Sequence, residues 1–248
     1  MTDGLAGVVL AAGAGLRLRP LTLLRPKPLC PVGDVPLVDL ALARVRAVVD
    51  DVAVNVHHGR AAMEFHLTGR AHLSIEEGSA LGTAGALGLL RGWVDGRAAV
   101  VVNADAWCPA GLEPLVDGWD GERIRLLLVG DDVLTPVSRV AGALMPWAEL
   151  SGLEALPSGL YERCWWPAAT AGRLEVVRDD GPFVDCGTPA QYLAANLLAS
   201  GGASVVGAGA RVEGALDRCV VWSEGVVWPY ESLTCAIRMT DVATVLVR

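Results

Sequence analysis

The apolar positions of the first 200 residues follow two alternating rhythms. Continuous or every-second-residue runs at 7–12, 51–56, 73–76, 98–102, 124–129, 138–145 and 174–177 predict strands. Helical spacing fills the intervals. Leu37, Leu40, Ala41, Val45 and Val48 mark one apolar face, with Asp34 as its expected cap and Pro36 in its first turn. Residues 83–90 predict a second helix, 157–167 a short one, and 190–198 a clear amphipathic one. Strands alternating with helices of this size predict an α/β fold, with a parallel sheet covered by helices on both faces. Such sheets bind ligands beyond the carboxyl ends of their strands. Gly13 to Gly15 and Asp105 both follow strands in that sense.

After Gly201-Gly202 the pattern changes to small and β-branched residues interleaved with glycine. Val206 and Val212 are six apart, as are Val220 and Val226, which is the period of a parallel β-helix. We therefore expect a main domain at 1–200 and a short hexapeptide-repeat-like tail at 201–248. Two or three coils leave an open edge, which needs a partner in its own domain or in another subunit of a homo-oligomer.

Composition narrows the function. Hydrophobic residues make up 52% and charged residues 19%, enough for a large core and against disorder. Aromatics are sparse, so the core is mostly Ala, Val and Leu, as suits buried parallel strands. A net charge of −8 argues against general nucleic-acid binding, since no basic stretch could neutralise a phosphate backbone. The opening residues lack the basic and apolar regions of a signal peptide, and no run reaches the roughly 20 apolar residues of a membrane helix. A cytoplasmic protein with no membrane partner is expected. Its six cysteines form no C-x-x-C pair and are expected to be reduced core residues.

Positive charge gathers in one place. Residues 16–28 hold Arg17, Arg19, Arg25 and Lys27 without one acid, directly after Gly13-Ala14-Gly15. Glycines, lacking Cβ atoms, let backbone N–H groups approach a polyphosphate. The spacing is not the dinucleotide G-x-G-x-x-G, since residue 18 is Leu, nor a Walker loop, since no G-K-[ST] follows. A plain strand-to-helix turn fits the glycines equally well. Lys27 moves the reading toward a nucleoside-triphosphate cradle. It is the only lysine of the sequence, where arginine serves everywhere else. A compact ammonium suits tasks that a guanidinium does poorly.

Together these stretches resemble the sugar-1-phosphate nucleotidyltransferases. The resemblance rests on LAAGAGLRLRPLTLLRPKPLCPVGDVPL at 10–37 and on three later segments in the same order. These are Leu81-Gly-Thr-Ala-Gly-Ala-Leu87, Asn103-Ala-Asp105 and Phe183-Val-Asp-Cys-Gly-Thr-Pro189. Within the family the sequence looks most like the mannose-1-phosphate guanylyltransferase branch. The resemblance implies a Rossmann-like, mixed and mainly parallel sheet with a left-handed β-helix-like tail. It implies an enzyme that joins an NTP, GTP favoured, to a sugar 1-phosphate, mannose 1-phosphate favoured, with Mg²⁺ and release of pyrophosphate. Carried over by position, Leu10, Ala11, Ala12, Gly13 and Gly15 would hold the nucleotide and its triphosphate. Arg17 would stabilise charge on the departing pyrophosphate, and Lys27 would bridge the α-phosphate and the sugar phosphate. Asp105 and Asp185 would hold Mg²⁺, with Asp105 also on the nucleotide side. Gly82 and Thr83 would lie at the base, while Asn103, Gly142, Glu162 and Asp185 would contact the sugar. Without the resemblance, Asp105 could be a turn residue and Asp185 a helix cap.

Glu77 lies five residues before Gly82, where relatives contact the base edge. The N1–H and N2–H of guanine suit a carboxylate, whereas uracil and thymine pair a donor with an acceptor and suit an amide. Glu77 is therefore expected to select GTP. The alternative is that Glu76 and Glu77 form a solvated pair at a strand end. His57-His58 lack the further ligands of a zinc site and are expected in a loop or the core. Trp165 and Trp166 are expected to pack, with stacking on a sugar or base left open. One departure stands out. Many relatives carry a Glu-Lys-Pro segment between the two aspartates, whose lysine grips the sugar phosphate, and this sequence has none. Arg139 is the candidate substitute. The same gap admits another reading, a catalytically silent homologue that binds nucleotide sugar and regulates a partner. The presence of Arg17, Lys27, Asp105 and Asp185 weighs toward an enzyme, since sensing needs no transition-state charge.

Overall fold

The computed structural model describes residues 4–247. By its internal contacts the chain forms two compact units. A sheet unit holds residues 4–14, 40–104 and 108–183, and a coil unit holds residues 15–39, 105–107 and 184–247. Residues 15–39, 105–107 and 184–200, placed by the sequence reading within the main domain, group with the carboxyl-terminal tail.

The sheet unit is built on seven strands: β1 Leu5–Leu10, β2 Val52–Val56, β3 His72–Ile75, β4 Ala98–Asn103, β5 Ile124–Val129, β6 Val140–Met145 and β7 Leu174–Asp179. Each lies within two residues of its expected position. Their order is β7-β5-β6-β4-β1-β2-β3. β1 runs parallel to β2 and β4, β2 to β3, and β5 to β7. β6 runs antiparallel to both its neighbours, β4 and β5. The result is the mixed, mainly parallel sheet that the resemblance implies, whereas the alternating pattern alone predicts a parallel one.

The main helices are α1 Leu37–Arg46, α2 Arg60–Leu67, α3 Gly82–Val94 and α4 Pro189–Ala199. β1 reads as a continuous apolar run because it is covered on both sides. Ala6, Val8 and Leu10 share a core with Leu87, Leu90 and Val94 of α3. Alternate strand residues face opposite ways, and Gly7 on the other face makes room for Val45 of α1. A Cβ at Gly7 would collide with Val45 Cγ1. The apolar face of α1 differs from the expected one by a residue: Val38 and Leu42 are buried, while Leu40 and Val48 are only half-buried. Asp34 does not cap this helix. It takes φ 66 in the turn of a small hairpin, Pro31–Val32 against Val35–Pro36, and accepts the Ala208 N–H at 2.8 Å.

The glycines of α3 have a packing role. Gly82, Gly85 and Gly88 recur every third residue and leave a bare stripe along the helix. The backbone of residues 154–158 lies on that stripe. Ser158 N–H donates to Leu81 O at 2.9 Å, and Ala84 N–H to Ser158 O at 3.0 Å. A Cβ at Gly85 would overlap the Leu156 carbonyl oxygen.

In the coil unit, short parallel strands stack in three ladders. Val205–Val206 pairs with Val220–Val221, which pairs in turn with Ala236–Arg238. Arg211–Val212 pairs with Val226–Val227, and Ala215–Asp217 with Ser232–Thr234. Paired residues are 15 to 17 positions apart, one coil's length, and the first two sides of each coil are six apart, as the valine spacing predicts. Thr244–Leu246 turns back antiparallel onto Ala236–Arg238 and covers that edge.

The six cysteines are free, five of them buried and Cys235 half-buried. Burial pushes the thiols of Cys30 and Cys186 up to about 12, and that of Cys164 to about 11, so they stay protonated core residues. Among the described residues no helix is long and apolar enough to cross a membrane.

Two alanine substitutions in α3 separate packing from helix propensity. Gly92 has open space where a Cβ would go, so Gly92→Ala should stabilise by about 0.5–1 kcal/mol. At Gly85 the same gain meets an overpacking cost of about 1–3 kcal/mol against immovable backbone. Gly85→Ala should therefore lower the urea midpoint while Gly92→Ala raises it.

Candidate functional site

Three distant pieces of chain meet within the coil unit. Ala106–Trp107 and Val184–Asp185 form a two-residue antiparallel ladder, with Asp185 opposite Ala106. That register brings Asp185 level with the residue that follows Asp105. The Lys27 ammonium bridges the two acids, 3.1 Å from Asp105 Oδ2 and 3.3 Å from Asp185 Oδ1. Arg17 donates to the other Asp185 oxygen at 3.4 Å. The Lys27 side chain is 6% exposed, against 52% for Asp105 and 40% for Asp185. An ammonium so far removed from water needs negative partners, and these two carboxylates are its partners.

Local sequence explains the placement. Pro26 and Pro28 flank Lys27, and Pro28 lies in the single helical turn Lys27–Leu29, where its missing N–H costs nothing. Gly15 holds φ 62, and a Cβ there would lie 3.0 Å from both Lys27 Cβ and Thr22 Cγ2. Glycine at 15 therefore lets the loop close directly onto Lys27, and Thr22 Oγ1 donates to the Gly15 carbonyl at 3.0 Å. Gly13 is exposed. Asp185 does not cap α4. Thr188 does, its hydroxyl accepting the Gln191 N–H at 3.3 Å, which leaves the Asp185 carboxylate to Lys27 and Arg17.

The basic stretch divides in two. Arg17 and Lys27 face the acids. Arg25 instead donates to Glu224 at 2.7 Å and lies 4.2 Å over the ring of Trp222, and Arg19 is exposed. Among the described residues no group of three or more His, Cys, Asp or Glu is gathered for a metal. The Asp105–Asp185 pair fits Mg²⁺, which binds through one or two carboxylates and takes its other ligands from substrate phosphates and water.

The sheet unit contains a cavity of about 200 Å³. Leu10 and Asn103, at the carboxyl ends of β1 and β4, line it, as do Thr83, Gly142 and Glu162. Tyr161, which the sequence reading did not place there, and Trp165, for which it left stacking on a sugar or base open, complete one wall. A single π-helical turn, Tyr161–Trp165, puts Tyr161, Glu162 and Trp165 on that wall, a type of turn frequent at functional sites. Thr83 Oγ1 accepts the Leu160 N–H at 2.8 Å. Gly142 contributes backbone only, since a Cβ there would point at Leu112 and Leu115. Trp166 is 50% exposed and stacks on Tyr161. Arg139 is exposed with its guanidinium beside Gly130, and it does not line the cavity.

A buried relay that the sequence reading missed runs through the sheet unit. Ala11 N–H donates to Asn55 Oδ1 at 2.7 Å, and Asn55 Nδ2 donates to Glu76 Oε1 at 2.6 Å. Glu76 Oε2 accepts the Leu81 N–H at 2.8 Å. Asn55 is 2% exposed and Glu76 3%. One carboxylate and one amide thus tie the loop after β1 to the loop before α3. A sequence signal existed: Asn55 is the polar residue in an otherwise apolar buried strand. His57 Nδ1 meets the Glu76 carbonyl at 2.9 Å and His58 Nδ1 the Ala12 carbonyl at 3.0 Å, the loop roles expected of them. Glu76 and Glu77 are not a solvated pair. Glu77 is 82% exposed and pairs with Arg60 at 2.9 Å, while Glu76 is enclosed.

Adjacent substitutions should therefore differ sharply. Glu76→Ala strands the buried Asn55 amide and the half-buried Leu81 N–H and should cost about 2–3 kcal/mol of unfolding free energy. Glu77→Ala removes an exposed ion pair and should cost less than about 1 kcal/mol. Urea titrations of the two variants check this.

Comparison with known proteins agrees with this architecture. Residues 6–127 match the family model described as nucleotidyl transferase. The mannose-1-phosphate guanylyltransferase of Mycobacterium tuberculosis is 31% identical over 140 residues, covering 52% of this chain and 39% of that protein. The N-acetylmuramate alpha-1-phosphate uridylyltransferase of Caulobacter vibrioides is 35% identical over 135 residues, covering 49% of this chain and 56% of that protein. The match thus spans about half the length of these curated relatives or less. A crystal structure described as mannose-1-phosphate geranyltransferase from Thermus thermophilus superposes with a TM-score of 0.73 at 17% identity, covering 98% of this chain and 95% of that one. HddC from Yersinia pseudotuberculosis gives a TM-score of 0.62 at 16% identity, covering 77% and 97%. The likeness to these two structures is one of fold. Residues 6–127 thus form a domain that matches the nucleotidyl transferase family, and both curated relatives are sugar-phosphate nucleotidyltransferases.

Proposed function

We propose that the protein transfers a nucleotidyl group from an NTP to a sugar 1-phosphate and releases pyrophosphate, with GTP and mannose 1-phosphate as the favoured pair. The observation that carries this reading is the Lys27 cluster: the sequence's only lysine, its ammonium nearly enclosed, bridges two carboxylates with Arg17 beside them. In the proposed reaction the sugar-phosphate oxygen attacks the α-phosphorus in line. The new P–O bond forms as the bond to the pyrophosphate oxygen breaks, and no covalent enzyme intermediate is needed. Catalysis of this kind is positioning plus charge neutralisation.

Each residue then has a task. Lys27 would neutralise the α-phosphate and hold the sugar phosphate against it. Arg17, 73% exposed, would meet charge on the departing pyrophosphate. Asp105 and Asp185 would hold Mg²⁺, which when bound supplies further neutralisation at the phosphate oxygens. The Ala11 N–H already donates to Asn55, so the loop's contribution to the triphosphate would come from residues 12–15. Gly82 and Thr83 would support the base, and Asn103, Gly142 and Glu162 would meet the sugar. The stacked parallel coils support the reading of the tail as a short left-handed β-helix.

Guanine is favoured because a carboxylate at 77 can accept both N1–H and N2–H, a contact for which Glu77 would release Arg60. The M. tuberculosis relative is a guanylyltransferase and the C. vibrioides relative a uridylyltransferase, so the base is tested directly. One observation favours a silent, sugar-nucleotide-sensing homologue: this sequence has no second lysine for the sugar phosphate.

A pyrophosphate-release screen with Mg²⁺ decides, pairing GTP, UTP, dTTP, CTP and ATP with mannose-, glucose-, N-acetylglucosamine- and heptose-1-phosphates. GTP with mannose 1-phosphate should be fastest. Release from no pair, alongside tight nucleotide-sugar binding, would support the silent homologue. Lys27→Ala should lower turnover by at least about 10³-fold, and Lys27→Arg by about 10²-fold. Near-normal activity in Lys27→Ala would sink this account of the cluster. An unchanged GTP-to-UTP preference in Glu77→Gln would remove Glu77 from base selection.

A further inference from the structure

We propose that the carboxyl-terminal coil is a strut that positions Lys27, with Arg25, Trp222 and Tyr192 as positioning residues. This inference rests on the catalytic role assigned to Lys27 above. The segment carrying Lys27, residues 25–31, is fastened at both ends, and both fastenings lead to Trp222. At the near end, the Arg25 guanidinium lies 4.2 Å over the Trp222 ring and donates to Glu224 at 2.7 Å. At the far end, the Pro31 carbonyl accepts the Tyr192 hydroxyl. That hydroxyl in turn accepts the Trp222 Nε1–H at 2.9 Å. A single indole therefore supports the start of the segment with its face and the end with its N–H.

The materials of the strut suit rigidity. Trp222 is 1% exposed and Tyr192 fully buried. Burial pushes the Tyr192 phenol upward, so it remains a neutral donor. Glu224 is 59% exposed, so its pair with Arg25 is screened and weak. The stacking of Arg25 on an enclosed indole is the stronger of its two contacts. Between the fastenings lies an ammonium whose use depends on placement, and a shift of about 1 Å at a reacting group can cost about 10²-fold in rate. Arg25, expected from the sequence among the phosphate-facing cations, has its guanidinium engaged at the coil instead. The coil thus serves the chemistry as well as, or instead of, association between copies.

The sole lysine makes the idea directly measurable. Acetylation by N-hydroxysuccinimide acetate, read at Lys27 by peptide mass spectrometry, reports the enclosure of this one amine. Arg25→Ala releases one end of the segment without entering the core. It should raise the Lys27 acetylation rate about tenfold while the melting midpoint moves by less than about 3 °C. It should lower kcat about tenfold with KM for the NTP within about twofold, and Arg25→Lys should restore part of the loss. In a Lys27→Arg background, Arg25→Ala should cost less than about twofold, because a residue acting through Lys27 has nothing further to lose. Trp222→Phe, which keeps the ring and deletes the N–H, should shift the same readouts in the same direction by less. Unchanged acetylation in Arg25→Ala, or an equal rate loss with and without Lys27, would overturn the strut. A wild-type protein that releases no pyrophosphate would instead refute the parent reading, and the acetylation rates would still decide whether the coil holds the lysine.

Discussion

An ammonium almost wholly removed from water must be surrounded by negative charge, and much of the coil unit follows from that requirement. Lys27 needs Asp105 and Asp185 together, so the chain pairs Ala106–Trp107 with Val184–Asp185 in a ladder of two residues. It needs a loop that closes on it without a side chain in the way, which Gly15 supplies. It needs Asp185 undistracted, and Thr188 takes over the helix cap. Both carboxylates are about half exposed, so water screens them, and the cluster's worth to stability lies nearer the roughly 0–1 kcal/mol typical of surface pairs than the roughly 3–5 kcal/mol lost on breaking an enclosed pair. A weakly stabilising assembly drawn from three parts of the chain accords with the phosphate chemistry proposed for it.

The sheet unit obeys a parallel constraint through hydrogen bonds. The relay through Asn55 and Glu76 ties the loop after β1 to the loop before α3. Enclosed polar groups of this kind are costly when half-satisfied and specific when complete. Here Ala11 N–H, both ends of the Asn55 amide, both Glu76 oxygens and Leu81 N–H are all paired. The glycine stripe of α3 does the same by shape, admitting the backbone of residues 154–158 at distances that any side chain would forbid.

Periodicity made the sheet legible. Every strand that is buried on two faces left an apolar run, and the ladders of the coil unit left valines six residues apart. Local motifs likewise pointed to Lys27, Arg17, Asp105 and Asp185, because ordered glycine, lysine and aspartate signatures survive without knowledge of contacts. What escaped was whatever depends on a partner far away in sequence. Glu76 and Glu77 are neighbours with the same chemistry, and only the proximity of Asn55 and Leu81 separates the enclosed one from the exposed one. Arg25 looked like another phosphate cation because its partner Trp222 lies near the opposite end of the sequence. Asp34 has the composition of a helix cap, yet the hairpin turn and the Ala208 N–H claim it. Tyr161 and Trp165 reach the cavity through a π-helical turn that no spacing rule anticipates.

The scattered origin of the Lys27 cluster also fixes when in the life of the chain it can form. Its two carboxylates lie 78 and 158 residues beyond the lysine. The entropy of closing such loops grows only logarithmically, so the longer closure adds only about 0.6 kcal/mol over the shorter. The delay is one of order more than of energy. As the chain is made, β1 to β7 are all in hand by residue 179, several residues before Asp185 exists, and the stacked coils come later still. During synthesis from the amino terminus, the seven-strand scaffold can be complete while the lysine still lacks its second counter-charge. A polypeptide interrupted between residues 179 and 185 would have all seven strands but an incomplete charge cluster.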